Sequence, residues 1–232
     1  MNHFDLQILI FLNERLARHP GIEKAVGLVP STNLLQGGVM VLLVWLALFE
    51  DNRPGQFRKN FELLLGSIFF SLFATLVARG LALSLPFRER PIAIASLHVV
   101  RPAGSSMLLV DWSAFPSDHA TLFFAIATGI FMVSRRIGWL ALAWVGFICF
   151  ALIALGAHWT TDIMVGAVLG ISFAQLARVP AFREFVRRST IGWYESHPQL
   201  FFAGLFLWSF ETVILYDDVR RILMRIAHSI RI

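Results

Sequence analysis

The chain has 232 residues, of which 57% are hydrophobic and 15% charged, with a net charge of +5. So much apolar side chain excludes an ordinary soluble domain, and charges clustered between long charge-free runs are what a bilayer core demands of helices. Arginine supplies 18 of the 20 basic residues, but these lie between apolar runs, which argues against nucleic acid and for interfacial anchors and ligands of lipid phosphate.

The first segment, residues 4–16, is short and amphipathic, and it is expected to lie in the membrane interface. It carries Asp5 and lacks a basic start, so no cleavable signal peptide is expected. Residues 25–49 carry no charged side chain. Pro30, Ser31, Thr32 and Asn33 interrupt them, which puts the start of the first span near Leu34. Residues 63–78 form the second span, extended at both ends, and residues 120–134 the third. Residues 137–157 form the fourth and clearest, near the roughly 20 residues that a crossing needs. Residues 163–177 form the fifth. A candidate sixth, residues 199–216, holds Glu211, which is costly in a bilayer unless paired or interfacial. Cys149 stands alone and cannot form an internal disulfide. The expected fold class is all-α: a polytopic membrane bundle of five to six spans. Residues 1–180 are its core, and residues 181–232 a basic C-terminal extension.

The distribution of basic residues orients the bundle. Arg53, Arg58 and Lys59 follow the first span, Arg135 and Arg136 the third, and Arg178, Arg183, Arg187 and Arg188 the fifth. These loops share one side, taken as cytoplasmic. The loop 85–116 and the short connection 158–162 then face outwards, towards the periplasm if the membrane is a cell inner membrane.

Three polar patches interrupt the apolar pattern. The first is Arg88-Glu89-Arg90-Pro91, with Arg79 upstream and Arg101-Pro102 downstream. The second is Pro116-Ser117-Asp118-His119, where the third span begins. The third is His158-Trp159-Thr160-Thr161-Asp162, between the fourth and fifth spans. The third span goes in and the fourth comes out, so all three patches meet on one face. Arginine forks bind phosphate oxygens two at a time. Ser117 has the character of an N-cap, and a helix N-terminus offers amides and partial positive charge to an anion. His158 and Asp162 are four residues apart, so Asp162 can fix one ring nitrogen of His158 and leave the other as a nucleophile. His119 can then protonate a leaving oxygen. Arginines and amides neutralise the charge, so neither a metal nor a cofactor is expected.

The patches resemble the type 2 phosphatidic acid phosphatase (PAP2) superfamily, whose pattern is Lys-x6-Arg-Pro, then Pro-Ser-Gly-His, then Ser-Arg-x5-His-x3-Asp. The matching residues are Arg90-Pro91, Pro116-Ser117-x-His119 and His158-x3-Asp162, and the likeness covers roughly residues 63–177. The five-span core and the Pro-Ser-Asp-His form are most similar to the bacterial undecaprenyl-diphosphate phosphatase branch. The resemblance implies a lipid phosphate or diphosphate substrate. It implies a phosphohistidine at His158, an acid at His119 and support from Asp162. Arg90 and Ser117 would hold phosphate. Three positions depart from the pattern. Leu83 stands where the lysine would be, Ala151-Leu152 replace Ser-Arg, and Asp118 replaces glycine. Arg79, Arg88 or Arg101 is expected to supply the missing cation; failing that, activity is reduced or lost. A phosphotransferase using the same site, and a lipid-binding homologue without turnover, remain alternatives.

Outside the patches the bland readings stand. Trp112, Trp139, Trp159 and Trp193 fit an aromatic belt. The arginines after Arg220 bind anionic headgroups or face water. Nothing in the sequence fixes the oligomeric state.

Overall fold

The computed structural model describes residues 2–51, 53, 55–99 and 112–215. Two expectations, Arg101 as a ligand and the tail arginines after Arg220, lie outside them. The described residues hold nine α-helices and no strand. Two short helices come first, α1 (His3–Ala17) and α2 (Pro20–Ser31), followed by α3 (Val39–Phe49). The central four are α4 (Gln56–Ser84), α5 (Asp118–Val133), α6 (Arg135–Ala154) and α7 (Thr160–Ala174). Two more, α8 (Pro180–Ser196) and α9 (Pro198–Val213), complete the order. The all-α membrane architecture expected from the sequence is what folds.

By length and apolarity three helices can cross a bilayer: α4, α6, and α7 with its extension to Arg178. The pair α2–α3 makes a fourth if counted as one broken span. These measures give fewer crossings than the five to six expected. The difference has local causes. The charge-free run 25–49 is bent by 74° between Ser31 and Leu34, just ahead of the expected start of the first span, which leaves that span short. Pro30 lies just before the break, and a π-turn over Leu34–Gly38 follows it. Such a turn loosens the carbonyl ladder, and Trp144 Nε1 donates to the carbonyl of Leu35 at 3.0 Å. The third predicted span, α5, has 16 residues, about 24 Å at the α-helical rise, which is shorter than the bilayer core. It is tolerated because it sits inside the bundle. Ala120, Leu122, Phe123, Ala125, Ile126, Ala127 and Ile130 are all essentially buried, and α4, α6 and α7 pack around it.

Small residues let these helices approach. A methyl group on Gly170 would stand 2.2 Å from the backbone oxygen of Thr121 and 3.0 Å from the amide nitrogen of Ala125. One turn earlier, a methyl on Gly166 would stand 2.5 Å from the backbone oxygen of Ser117. Close backbone contact of this kind is how membrane helices gain packing energy without a hydrophobic driving force. Gly170→Ala is therefore expected to push α7 off α5 at a cost of about 1–3 kcal/mol. Thermal unfolding in detergent reads this, with Gly146→Ala as control, because nothing lies within 4 Å of that position. Equal melting of the two variants would contradict the close approach.

The helices α4 and α6 end, and α5 and α7 begin, at one end of the bundle. The basic residues of α8 lie at the other. There Arg183 of α8 donates through Nε and Nη2 to Glu62 of α4 at 3.0 and 2.8 Å, and Glu184 takes Arg187 and Arg188. Helix α1 lies across the first end. Asp5 meets Thr161 at the start of α7, and Asn13 Nδ2 donates to the carbonyl of Ala154 at the end of α6 at 2.9 Å.

Candidate active site

The turn that carries His158 is built by the end of α6. Gly156 has φ +69°, the left-handed conformation that glycine adopts at little cost when it stops a helix. The amides of Ala157 and His158 then return to the carbonyl of Leu152 at 2.8 and 3.3 Å. The Gly156 carbonyl accepts from the amide of Ile92 at 2.9 Å, which docks the Arg90-Pro91 segment beside the turn. A side chain at position 156 would strike Val99 at 2.7 Å.

That docking aims Arg90 at His158. Arg90 Nη1 donates to the Ala157 carbonyl at 2.9 Å and lies 3.1 Å from His158 Nε2. The other ring nitrogen, Nδ1, lies 2.9 Å from the carbonyl of Ala114. A carbonyl only accepts and a guanidinium only donates. The ring therefore carries its proton on Nδ1 and keeps a lone pair on Nε2. The expected anchor for Nδ1 was Asp162, whose Oδ2 is 3.7 Å away. The reason is local. Asp162 lies in the first turn of α7, and its Oδ2 accepts the amide of Trp159 at 2.8 Å, so the carboxylate caps its own helix. His158 is 2% exposed. Burial pushes its pKa below the usual imidazole value. The Arg90 charge adds to that, against the opposing pull of Asp162 and Asp118. Burial also lowers Arg90 from its ordinary value, opposed by Asp118 and Asp162, yet a guanidinium keeps its charge at neutral pH.

The second patch arrives on the N-terminus of α5. Ser117 is the N-cap, its Oγ accepting the amide of Ala120 at 3.3 Å. Its own amide donates to the backbone carbonyl of Asp162 at 3.2 Å, which ties the second patch to the third. Asp118 Oδ1 accepts the amide of His119 at 2.9 Å and lies 3.2 Å from His119 Nδ1. Its Oδ2 lies 3.3 Å from Arg79 Nη2. One side-chain ligand atom from each of Asp118, His119 and His158 falls within 4.8 Å of the others. Three such atoms are near enough to share a metal ion. Guanidinium groups stand 3.1 and 3.3 Å from the atoms of His158 and Asp118, however. That charge suits an anion.

Arg88 occupies a different place from the one its sequence position suggested. Its Nη1 donates to Asp162 Oδ1 and to Thr161 Oγ1, and its Nη2 to Asp5 Oδ2. Both terminal nitrogens are committed to carboxylates, which among the described residues leaves Arg90 beside His158 and Arg79 beside Asp118. The Leu152 side chain belongs to the apolar core; of the two described candidates for the missing cation, Arg88 is held by carboxylates and Arg79 stands 3.3 Å from Asp118. Trp159 corrects another expectation. It is 3% exposed and donates from Nε1 to the Glu89 carbonyl at 2.9 Å, so it braces the site. Trp112, Trp139 and Trp193 remain exposed. Sequence reasoning missed Asp5, Thr161 and the Ala114 carbonyl. An acid in the first turn of α1, just ahead of its apolar run, was the available signal for Asp5; a backbone oxygen gives none.

Comparison with known proteins identifies the family. The family model of the PAP2 superfamily matches residues 63–184. The chain is 39% identical over 59 residues to the bacitracin transport permease protein BcrC of Bacillus licheniformis, which is 25% of this chain and 29% of that relative. It is 26% identical over 176 residues to the lipid A 1-diphosphate synthase of Escherichia coli K12, covering 71% of this chain and 70% of that one. The crystal structure of Aquifex aeolicus LpxE shares the fold, with a TM-score of 0.54 at 22% identity over 76% of this chain and 95% of that chain. A family match over more than half of the sequence, joined to three patches at one end of a helical bundle, places this membrane protein in the PAP2 superfamily.

Proposed function

We propose that the protein is a lipid phosphatase that removes a phosphoryl group from a lipid phosphate or diphosphate, of the undecaprenyl diphosphate or phosphatidate type, through a phosphohistidine. One observation carries the reading. The buried neutral imidazole of His158 presents its Nε2 lone pair to a guanidinium, with a ligand atom of His119 within 4.8 Å.

The reaction has two steps. His158 Nε2 attacks phosphorus, the bond from phosphorus to the leaving oxygen breaks, and protonated His119 gives its proton to that oxygen. Water then attacks the phosphohistidine while His119 takes its proton, which releases phosphate and restores neutral His158. Arg90 and Arg79 neutralise the charge on the transferring group. Arg90 stays tethered by the Ala157 carbonyl as the phosphoryl group displaces its contact with Nε2. Ser117 caps α5 and orients its N-terminus, and Asp162 holds the turn bearing His158. The basic residues at the far end of the bundle support an inner-membrane orientation with the site towards the periplasm. Residues 1–180 contain every residue invoked.

The test is release of inorganic phosphate by the purified protein from a polyprenyl diphosphate and from phosphatidate in mixed micelles, with and without chelator. Release from at least one substrate, undiminished by chelator, is expected. Release from neither overturns the reading. A transferase reading has specific support, since the Escherichia coli relative is named a diphosphate synthase. Mass spectrometry of products formed with lipid A present separates the two: phosphate gained by the second lipid, in place of free phosphate, identifies the transferase.

A further inference from the structure

Asp5 is fully buried and far in sequence from the three patches, yet its carboxylate is saturated by them. Its Oδ1 accepts the amide of Thr161 at 2.9 Å, and its Oδ2 accepts Thr161 Oγ1 at 2.7 Å and Arg88 Nη2 at 2.6 Å. Thr161 Oγ1 in turn accepts from Arg88 Nη1 at 2.8 Å. The same Nη1 reaches Asp162, whose Oδ2 holds the amide of Trp159 and whose backbone carbonyl holds the amide of Ser117. A connected set of hydrogen bonds thus runs from the N-terminal helix to Trp159, next to His158, and to Ser117, the N-cap of the helix that bears His119. The helix is itself fastened, by buried Leu9 and Leu16 and by Asn13 on Ala154. A buried ion pair adds little stability compared with apolar packing, so a charge retained here points to geometry.

We propose that Asp5 is a positioning residue of the active site. Through Arg88 and Thr161 it fixes the turn that bears His158 and the carboxylate of Asp162, which makes α1 a working part of the site and not an anchor alone. The proposal rests on the phosphatase reading for its catalytic consequence. Asp5 touches neither the imidazoles nor the space between them, so its effect is on orientation. A small displacement of a reacting group costs up to about 10²-fold in rate.

The experiment compares wild type, Asp5→Asn and Asp5→Glu in the phosphate-release assay, per mole of folded protein. Asp5→Asn keeps the shape and an acceptor for the Thr161 amide but loses the charge that holds Arg88. Its kcat is expected to fall about 10–100-fold with KM changed less than about twofold. Asp5→Glu is expected to recover part of the loss. Asp5→Asn combined with Arg88→Lys is expected to cost no more than the worse single variant, because both act on one set of bonds. Unchanged kcat in Asp5→Asn, or losses that simply add, overturns the proposal. A wild type that releases no phosphate overturns the phosphatase reading instead, and the decision passes to hydrogen exchange. Asp5→Asn is expected to speed exchange of the amides of residues 159–162 over wild type, and equal exchange overturns the positioning role.

Discussion

His158→Ala is expected to lower kcat at least about 10²-fold, the usual consequence of removing a covalent nucleophile. Folding should survive, because the side chain makes one bond to the Ala114 carbonyl and one contact with Arg90. Labelled substrate should leave an acid-labile phosphoenzyme on the wild type and none on the variant. His119→Ala should still accumulate the phosphoenzyme from a substrate whose leaving group needs no proton. Equal labelling of wild type and His158→Ala would remove His158 from the mechanism. The pH profile adds an independent check. Attack requires the neutral ring, and burial holds the His158 pKa below its ordinary value. The neutral form therefore persists as pH falls through about 6.5, and kcat/KM is lost only below that. The phosphate of a monoester substrate itself titrates near pH 6, so its ionisation is measured separately. An acid-side loss of activity centred above about 6.5 would contradict a buried neutral imidazole.

Arg88→Ala is expected to cause the largest loss of stability. The Asp5 and Asp162 carboxylates are fully buried and share this one guanidinium. Removing one partner of a buried ion pair costs about 3–5 kcal/mol, because the remaining charge has lost its water and gained nothing. Thermal unfolding in detergent should fall sharply, and yield with it. Arg88→Lys should lose less, since it keeps the charge but cannot reach both carboxylates with one planar fork. Asp5→Asn in the Arg88→Ala background should restore stability, because one uncompensated charge disappears. An Arg88→Ala protein that melts with the wild type would show that the two carboxylates do not depend on it.

Much of the site was legible because its parts are chemically loud against an apolar background. A histidine, a Ser-x-His and an Arg-Pro between hydrophobic runs stand out. Counting crossings brings them to one face, as the structure does with His158, Arg90, Ser117 and His119. The roles within the site were less legible. Arg88 and Arg90 are separated by one residue in an irregular segment; the Arg-Pro pattern pointed to Arg90, while Arg88 stood as a second candidate phosphate ligand. The docking of Ile92 on the Gly156 carbonyl sends Arg90 to the imidazole and leaves Arg88 for the carboxylates. Spacing suggested a pair of His158 and Asp162. Because α7 starts only at Thr160, Asp162 Oδ2 is taken by the Trp159 amide and stands 3.7 Å from His158 Nδ1. Trp159 was misread because a tryptophan at a span end has the same composition whether it faces lipid or braces a loop.

Composition and the order of polar patches by themselves determined that this chain is a helical membrane protein with its polar patches at one end. Hydropathy and crossing parity follow from covalent sequence, whatever the packing. Only the tertiary structure decided which cation faces His158, which oxygen sets its tautomer, and that Asp5 joins the site from the opposite end of the sequence. Those choices depend on angstrom-scale distances between segments far apart along the chain. A hydrogen bond is lost over about half an ångström beyond its normal length, and no sequence pattern encodes a distance that fine.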